Sequence, residues 1–258
     1  MAYHFDGVNL GYLPNEFKMP DPKGYDLVEF KRIYSKWDAA FASKGWGTIY
    51  LGNHDQPRMV TRWGNDGPRF RELSSTMLTT FILSMGGTPY YYFGDELGMS
   101  NVKFDRIEDY DDIEVKTNYA QIREQGGDLK RFLEGMKISA RDNGRSPFQW
   151  DSTVNAGFTS GKPWLKVNPN HAQVNAAAQE KDPRSPLNHF RRMARLRKAT
   201  PALVYGRYTL LDPGNQDVYA YLRELDGTRL LVLLNFTARS ASAVTGLDLR
   251  AARPLIGN

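Results

Sequence analysis

The sequence predicts an α/β fold: parallel βα units first, then a small antiparallel β-domain. Three observations carry that expectation. Compact apolar segments alternate with segments of helical period up to about residue 93, the pattern of βα units around a parallel sheet. Beyond Thr200-Pro201 the period changes to that of strands, with Asp226-Gly227 placed as a two-residue hairpin turn. The 258 residues are 41% hydrophobic, enough apolar material for a packed core rather than a disordered chain.

The elements follow in order. Ala2–Phe5 is a candidate strand, and Pro14, Pro20, Pro22 and Gly24 mark the loop after it. Asp26, with Glu29 three positions on, resembles a capping box. It opens a helix carrying Leu27, Phe30, Ile33, Tyr34, Trp37, Ala40 and Phe41, which Gly45 can stop. Thr48–Leu51 is a compact strand, and the polar turn Gly52 to Arg58 follows it directly. Leu73, Met77, Leu78, Phe81, Ile82 and Met85 share one face of a second helix, ended by Gly86-Gly87. Pro89–Phe93 is an aromatic strand, with Gly94-Asp95-Glu96 at its end. Residues 94–184 are polar, with helical pieces near 113–124 and 128–140 and a long loop after 141; connections of that length are usually functional. Ser185-Pro186 supplies the N-cap and first turn of the last long helix. Tyr208–Leu211, Val218–Leu225 and Arg229–Asn235 read as strands. The expected domains are 1–200 and 201–258.

Composition removes several function classes. There is no cysteine, hence no disulfide scaffold, thiolate metal site or cysteine nucleophile. No run approaches the ~20 apolar residues of a membrane span, and MAYHFDGVNL lacks the basic-then-apolar layout of a signal peptide. The net charge is +5. Its densest run, Arg191, Arg192, Arg195, Arg197 and Lys198, lies among Leu187, Phe190, Met193 and Ala194 at helical spacing. That run reads as the solvated face of an amphipathic helix rather than a nucleic-acid patch. Neither nucleic acid nor membrane is an expected partner.

The densest polar segment is Gly52-Asn53-His54-Asp55-Gln56-Pro57-Arg58, straight after a buried strand. Such groups are costly to bury unpaired, and the C-terminal ends of parallel strands are where ligands bind. The segment reads equally as a hydrogen-bonded loop closure or as a ligand site. It lacks the ligand spacing of a zinc site, and the sequence has no G-x-S-x-G elbow.

GNHDQPR after an apolar strand resembles the seventh-strand motif of the α-amylase family (glycoside hydrolase family 13), closest to its α-glucosidase and oligo-1,6-glucosidase branch. GGTPYYYFGDELGM (86–99), IEDYDDIEV (107–115), RDNGRSPFQWD (141–151), AGFTSGKPWLKVNPN (156–170) and NFTARS (235–240) resemble further segments of that branch, in family order. The resemblance implies the C-terminal part of a (β/α)8 TIM barrel, strands 6–8, followed by the β-domain. It implies retaining hydrolysis of α-glucosidic bonds from the non-reducing end, with oligosaccharides or sucrose as partners and neither cofactor nor metal. In that match Asp55 is the transition-state stabiliser, and His54 and Arg141 bind the same glucose. Glu114 is an acid beside the neighbouring sugar. Arg58 and Arg145 fit scaffolding at least as well as sugar contact, and Phe148 and Trp150 fit packing better than a sugar platform.

The sequence also departs from the family. The fourth-strand nucleophile motif and the fifth-strand acid/base motif do not occur in it. Three of eight barrel units would leave strand edges open. The expectation is a chain without hydrolytic activity of its own that can self-associate through those edges. A sucrose isomerase or glucosyltransferase of the same family, and a non-catalytic carbohydrate-binding or interaction fragment, remain alternatives.

Overall fold

The computed structural model describes residues 3–42 and 45–257. No strand forms over residues 3–5, and Ala2 lies outside the described residues. The segment is held by rings instead of a ladder. Tyr3 stacks on Tyr50 at 4.2 Å, the His4 ring stacks on Trp37 at 4.8 Å, and the Tyr50 hydroxyl donates to the His4 carbonyl at 2.6 Å.

Helix α1 spans Leu27–Phe41. The Asp26 carboxylate accepts from the Val28 and Glu29 amides at 2.7 and 3.4 Å, satisfying donors that have no partner inside the helix. The return half of the capping box does not form, because Arg32 takes both Glu29 oxygens at 2.5 and 2.7 Å. The Gly45 amide donates to the Phe41 carbonyl at 3.2 Å. Strand β1 is only Thr48–Ile49, α2 is Met59–Trp63, α3 is Arg71–Ser84 and β2 is Thr88–Pro89. Both expected strands are thus cut to two residues. They pair in parallel, Thr48 with Thr88 and Ile49 with Pro89, and the Tyr90 amide reaches the Ile49 carbonyl at 2.8 Å. Among the described residues each has only the other as a neighbour, in a two-stranded sheet, and such a pair keeps few ladder bonds.

In the long connection, α4 (Ile113–Glu124) and α5 (Leu129–Ser139) match the expected helical pieces and start on Asp112 and Asp128 caps. They enclose a second apolar cluster of Phe104, Tyr110, Val115, Phe132 and Met136. Short α6 (Ala176–Lys181) precedes α7 (Pro186–Ala199), which opens on the Ser185 cap with Pro186 in its first turn. One more helical turn, α8 (Pro201–Tyr205), delays the change to strands. Then β3 (Arg207–Leu211), β4 (Val218–Leu225) and β5 (Thr228–Asn235) form an antiparallel sheet in that order. At its tight turn Leu225 faces Thr228, with positive φ at both Asp226 (47°) and Gly227 (81°), the hairpin geometry that favours an Asp-Gly pair.

The small sheet shares one core with the first helices: Phe30, Tyr34, Phe81 and Ile82 pack with Tyr219, Tyr221, Val232 and Leu234. Buried cations bolt the layers together. Lys31 on α1 donates to the carbonyls of Asp212, Asn215 and Val218 at 3.3, 2.5 and 3.0 Å. Arg197 departs from the solvated face expected of it. Its guanidinium is buried against the carbonyls of Leu83, Met85, Leu203 and Gly87 at 2.6–3.1 Å. The other arginines of that run are not all free in solvent either, since Arg191 is paired with Glu180 at 2.5 Å.

Removing Lys31 takes the ammonium donor from three carbonyls, of which that of Asp212 keeps the Asn215 amide. Lys31→Ala should cost about 2–4 kcal/mol in urea unfolding, and a loss below about 1 kcal/mol would mean that the tether does not hold the sheet.

Candidate active site

The polar turn after β1 is set by its own side chains. Asn53 Oδ1 accepts from the Asp55 amide at 2.8 Å, closing a turn that points His54 and Asp55 outward. Their side chains are 72% and 48% exposed, and His54 Nε2 lies 3.3 Å from Asp55 Oδ2. The loop carrying Arg141–Arg145 approaches from the far side. Gly144 permits that approach, since a Cβ there would collide with the Gln56 carbonyl oxygen.

Arg141 is the centre of the cluster. It holds Asp112 in a bidentate grip, Nε to Oδ2 and Nη2 to Oδ1, both at 2.8 Å. Its Nη1 donates to Asp55 Oδ1 at 3.1 Å, and Nη2 lies 3.4 Å from Glu114 Oε2. The paired carboxylates hold the guanidinium pKa above its ordinary value, chiefly through the Asp112 hydrogen bonds. Arg145 adds a second cation: Nη2 donates to Asp55 Oδ1 at 3.1 Å and Nε to the His54 carbonyl at 2.8 Å. Partial burial pushes the Asp55 carboxyl up. The Arg141 hydrogen bond and the His54, Arg141 and Arg145 charges outweigh it, so the carboxyl sits below its ordinary value. Asp55 is therefore a fixed anion at neutral pH rather than a proton donor.

Behind this front stand groups the sequence did not single out. The Asp112 side chain is 1% exposed, and also caps α4 through the Glu114 amide at 2.9 Å. Asp142, equally buried, accepts from the Asp111 and Asp112 amides at 2.7 and 2.8 Å. Nothing local in the sequence marks Asp112 as the partner of an arginine 29 residues away. Arg58 acts as scaffold, through carbonyls and rings more than through ion pairs. It is buried, donates to the Phe93 and Ser146 carbonyls at 2.5 and 3.1 Å, and lies 4.8 Å from the Phe93 ring centroid. Beneath the strand end is Asp95, whose burial pushes it up to about 7 despite the Arg58 charge. Gly52 leaves room for it, since a Cβ there would lie 3.2 Å from Asp95 Oδ2.

Phe148 packs on the Leu97, Met99 and Leu187 cluster, and Trp150 lies against Phe148 at 4.5 Å with its ring half exposed. Beside His54 and Asp55 opens an aromatic cleft of about 350 Å³, lined by Tyr3, Phe5, Tyr90, Tyr91 and Tyr92. Among the described residues no three His, Asp or Glu side chains could hold a metal ion, and no helix is long and apolar enough to cross a membrane.

The family model for the catalytic domain of alpha amylase matches residues 1–206, and that for the C-terminal domain of maltogenic amylase matches 208–255. The chain belongs to the α-amylase family, glycoside hydrolase family 13. It is 42% identical over 241 residues to an oligo-1,6-glucosidase of Parageobacillus thermoglucosidasius, covering 93% of this chain and 42% of that protein. Among solved structures it is similar to the isomaltulose synthase of Klebsiella sp. LX3, at 43% identity and a TM-score of 0.88, covering 92% of this chain and 42% of that one. It is also similar to an E295Q mutant of isomaltulose synthase from Erwinia rhapontici NX5 in complex with its natural substrate sucrose. There the identity is 42% and the TM-score 0.86, over 90% of this chain and 42% of that one. The chain thus spans less than half the length of these relatives.

Two titrations test the electrostatics. Arg141→Gln should raise the Asp55 pKa measurably in a carboxyl-carbon NMR titration; an unchanged value would show that Arg141 does not set it. Asp95 binds its proton more tightly in the native state than in the unfolded chain, where aspartate titrates near ~4. Its stabilising contribution is complete at acid pH and is lost as pH rises from about 4 through about 7. Asp95→Asn should flatten the fall in the urea midpoint across that window, and a slope identical to the wild type would contradict the assignment.

Proposed function

We propose that this chain carries the terminal-glucose side of an α-glucosidase-type site. In this proposal β1 and β2 are the seventh and eighth strands of a (β/α)8 barrel, residues 1–200 belong to the barrel, and 201–258 form the C-terminal β-domain. Asp55 stabilises the transition state, His54 hydrogen-bonds the same glucose, Arg141 binds that glucose and closes the pocket beyond it, and Glu114 flanks the neighbouring sugar. The reaction is retaining hydrolysis of α-glucosidic bonds from the non-reducing end.

The observation that carries this proposal is the state of Asp55. It is half exposed, anionic, and held by two arginines that are themselves anchored. An oxocarbenium-like sugar flattens at C1 and carries positive charge. A fixed anion that grips its hydroxyls better in that shape favours the transition state over the ground state. Retention further needs a nucleophile and a carboxyl acid about 5–5.5 Å apart. The carboxyls raised by burial that border the site, Asp95, Glu96 and Asp142, serve the scaffold: Asp95 and Asp142 are sealed from solvent, and the Glu96 carboxylate accepts from the Gly94 amide. The isolated chain therefore binds without turning over. The aromatic edge at Tyr3, Phe5, Tyr90 and Phe93, 38–63% exposed, favours self-association.

A second reading has its own support: similar solved structures include isomaltulose synthases, and isomerisation shares the covalent intermediate with hydrolysis and differs in which acceptor is held. A binding or interaction fragment is the third, and the absence of turnover is common to it.

The purified chain should give no turnover of p-nitrophenyl α-glucoside while binding glucose saturably, with that binding lost in Asp55→Ala. A robust hydrolytic rate that Asp55→Ala abolishes would overturn the inactivity, and glucose binding untouched by Asp55→Ala would overturn the site.

A further inference from the structure

Trp164 is not explained by packing. Its ring is 58% exposed, yet its position is fixed. The indole Nε1 donates to the Arg145 carbonyl at 3.1 Å, and Phe158 meets the ring edge-on at 5.1 Å between centroids. The loop beneath is braced on itself. Asn155, Ala156 and Gly157 run through left-handed conformations with φ of 53°, 57° and 65°. The Ala156 carbonyl accepts from the Trp150 and Asp151 amides at 2.9 and 3.2 Å, and Asn155 Nδ2 donates to the Thr159 and Gly161 carbonyls at 3.1 and 3.0 Å. Gly157 has no alternative there, since a Cβ would lie 2.6 Å from Asp151 Oδ2. Left-handed backbone at a buried alanine is costly and persists only where surrounding contacts impose it.

The construction ends at the proposed site. The residue that receives the indole N–H, Arg145, also donates to Asp55 Oδ1 and to the His54 carbonyl. One arginine thus spaces an exposed aromatic face from the carboxylate assigned to the terminal glucose. Trp150, the other half-exposed indole, has no such link and rests on Phe148. A rigid aromatic surface with its polar edge already satisfied loses little freedom when a ligand lies on it, and the C–H face of a pyranose is a flat apolar partner of suitable size.

We propose that Trp164, backed by Phe158, is a stacking platform for the second sugar ring of an α-linked disaccharide whose terminal glucose sits at Asp55 and His54. The proposal rests on the site assigned above and adds to it the residue that distinguishes a disaccharide from free glucose. No chemical step is involved. The platform supplies affinity for the leaving or accepting sugar, while the Asp55 cluster supplies affinity for the first ring.

The test is calorimetric titration of the whole 258-residue chain with glucose, maltose and isomaltose. Trp164→Ala should weaken the preferred disaccharide about tenfold and leave glucose within about twofold, corresponding to loss of one stacked ring. Trp164→Phe, which keeps a ring against Phe158, should fall between, and Trp150→Ala should match the wild type. If Trp164→Ala binds both disaccharides like the wild type while Asp55→Ala loses all three sugars, the platform is wrong and the site stands. If Trp164→Ala loses glucose and disaccharide equally, Trp164 serves Arg145 and not a second ring, and the proposal falls. If the wild type binds none of the sugars, both the platform and the site assignment fall.

Discussion

One guanidinium holds the site together. Arg141 is shared among Asp112, Asp55 and Glu114, and these carboxylates come from places with no local reason to meet. Asp55 belongs to the turn after β1, while Asp112 and Glu114 open α4. The bidentate Asp112 contact is the strong one, because its geometry matches the planar fork and its carboxylate is buried. That contact fixes the guanidinium, and the guanidinium then fixes Asp55. Without it, Asp112 would be a buried anion with too few partners, an expensive state.

The wider fold makes this meeting possible by using backbone carbonyls to hold buried cations. Lys31, Arg58 and Arg197 all end on carbonyl groups rather than on carboxylates alone. Each bolts one layer to another: α1 to the small sheet, the turn after β1 to the segment that follows β2, and α7 to the end of α3. Glycine supplies the close approaches that side chains would block, at Gly52 over Asp95 and at Gly144 against Gln56. The site is therefore rigid at its base and open at its face, where His54 and Asp55 meet solvent. Such an arrangement suits a polar ligand better than a loop closure, which would turn both side chains inward.

Local chemistry was the legible part of the sequence. The Asp226-Gly227 hairpin, the Ser185-Pro186 helix start and the Asp26 cap form where their residue types demand, because each needs only neighbours in the chain. The motif resemblance also singled out His54, Asp55, Arg141 and Glu114; in the structure Asp55 and Glu114 lie against Arg141, and His54 lies against Asp55. Strand length was not legible. An apolar run such as Thr48–Leu51 states what is buried, whereas the extent of a ladder depends on which strands lie alongside. Nor were the inner partners. Asp112 and Asp142 drew no reading of their own, and Arg197 looked like part of a charged face. Their roles come from contacts across tens of residues, which spacing along one chain does not encode.

The claim that Asp112 and Asp55 act through a shared arginine is tested most directly by a double-mutant cycle. Asp55→Ala, Asp112→Ala and the double variant would be compared with the wild type by urea unfolding at neutral pH. A shared guanidinium predicts that the two losses are not additive, with a coupling energy of about 0.5–3 kcal/mol that is lost when Arg141 is replaced by Gln. Additivity within about 0.3 kcal/mol would show the two carboxylates to be independent, and would contradict the account.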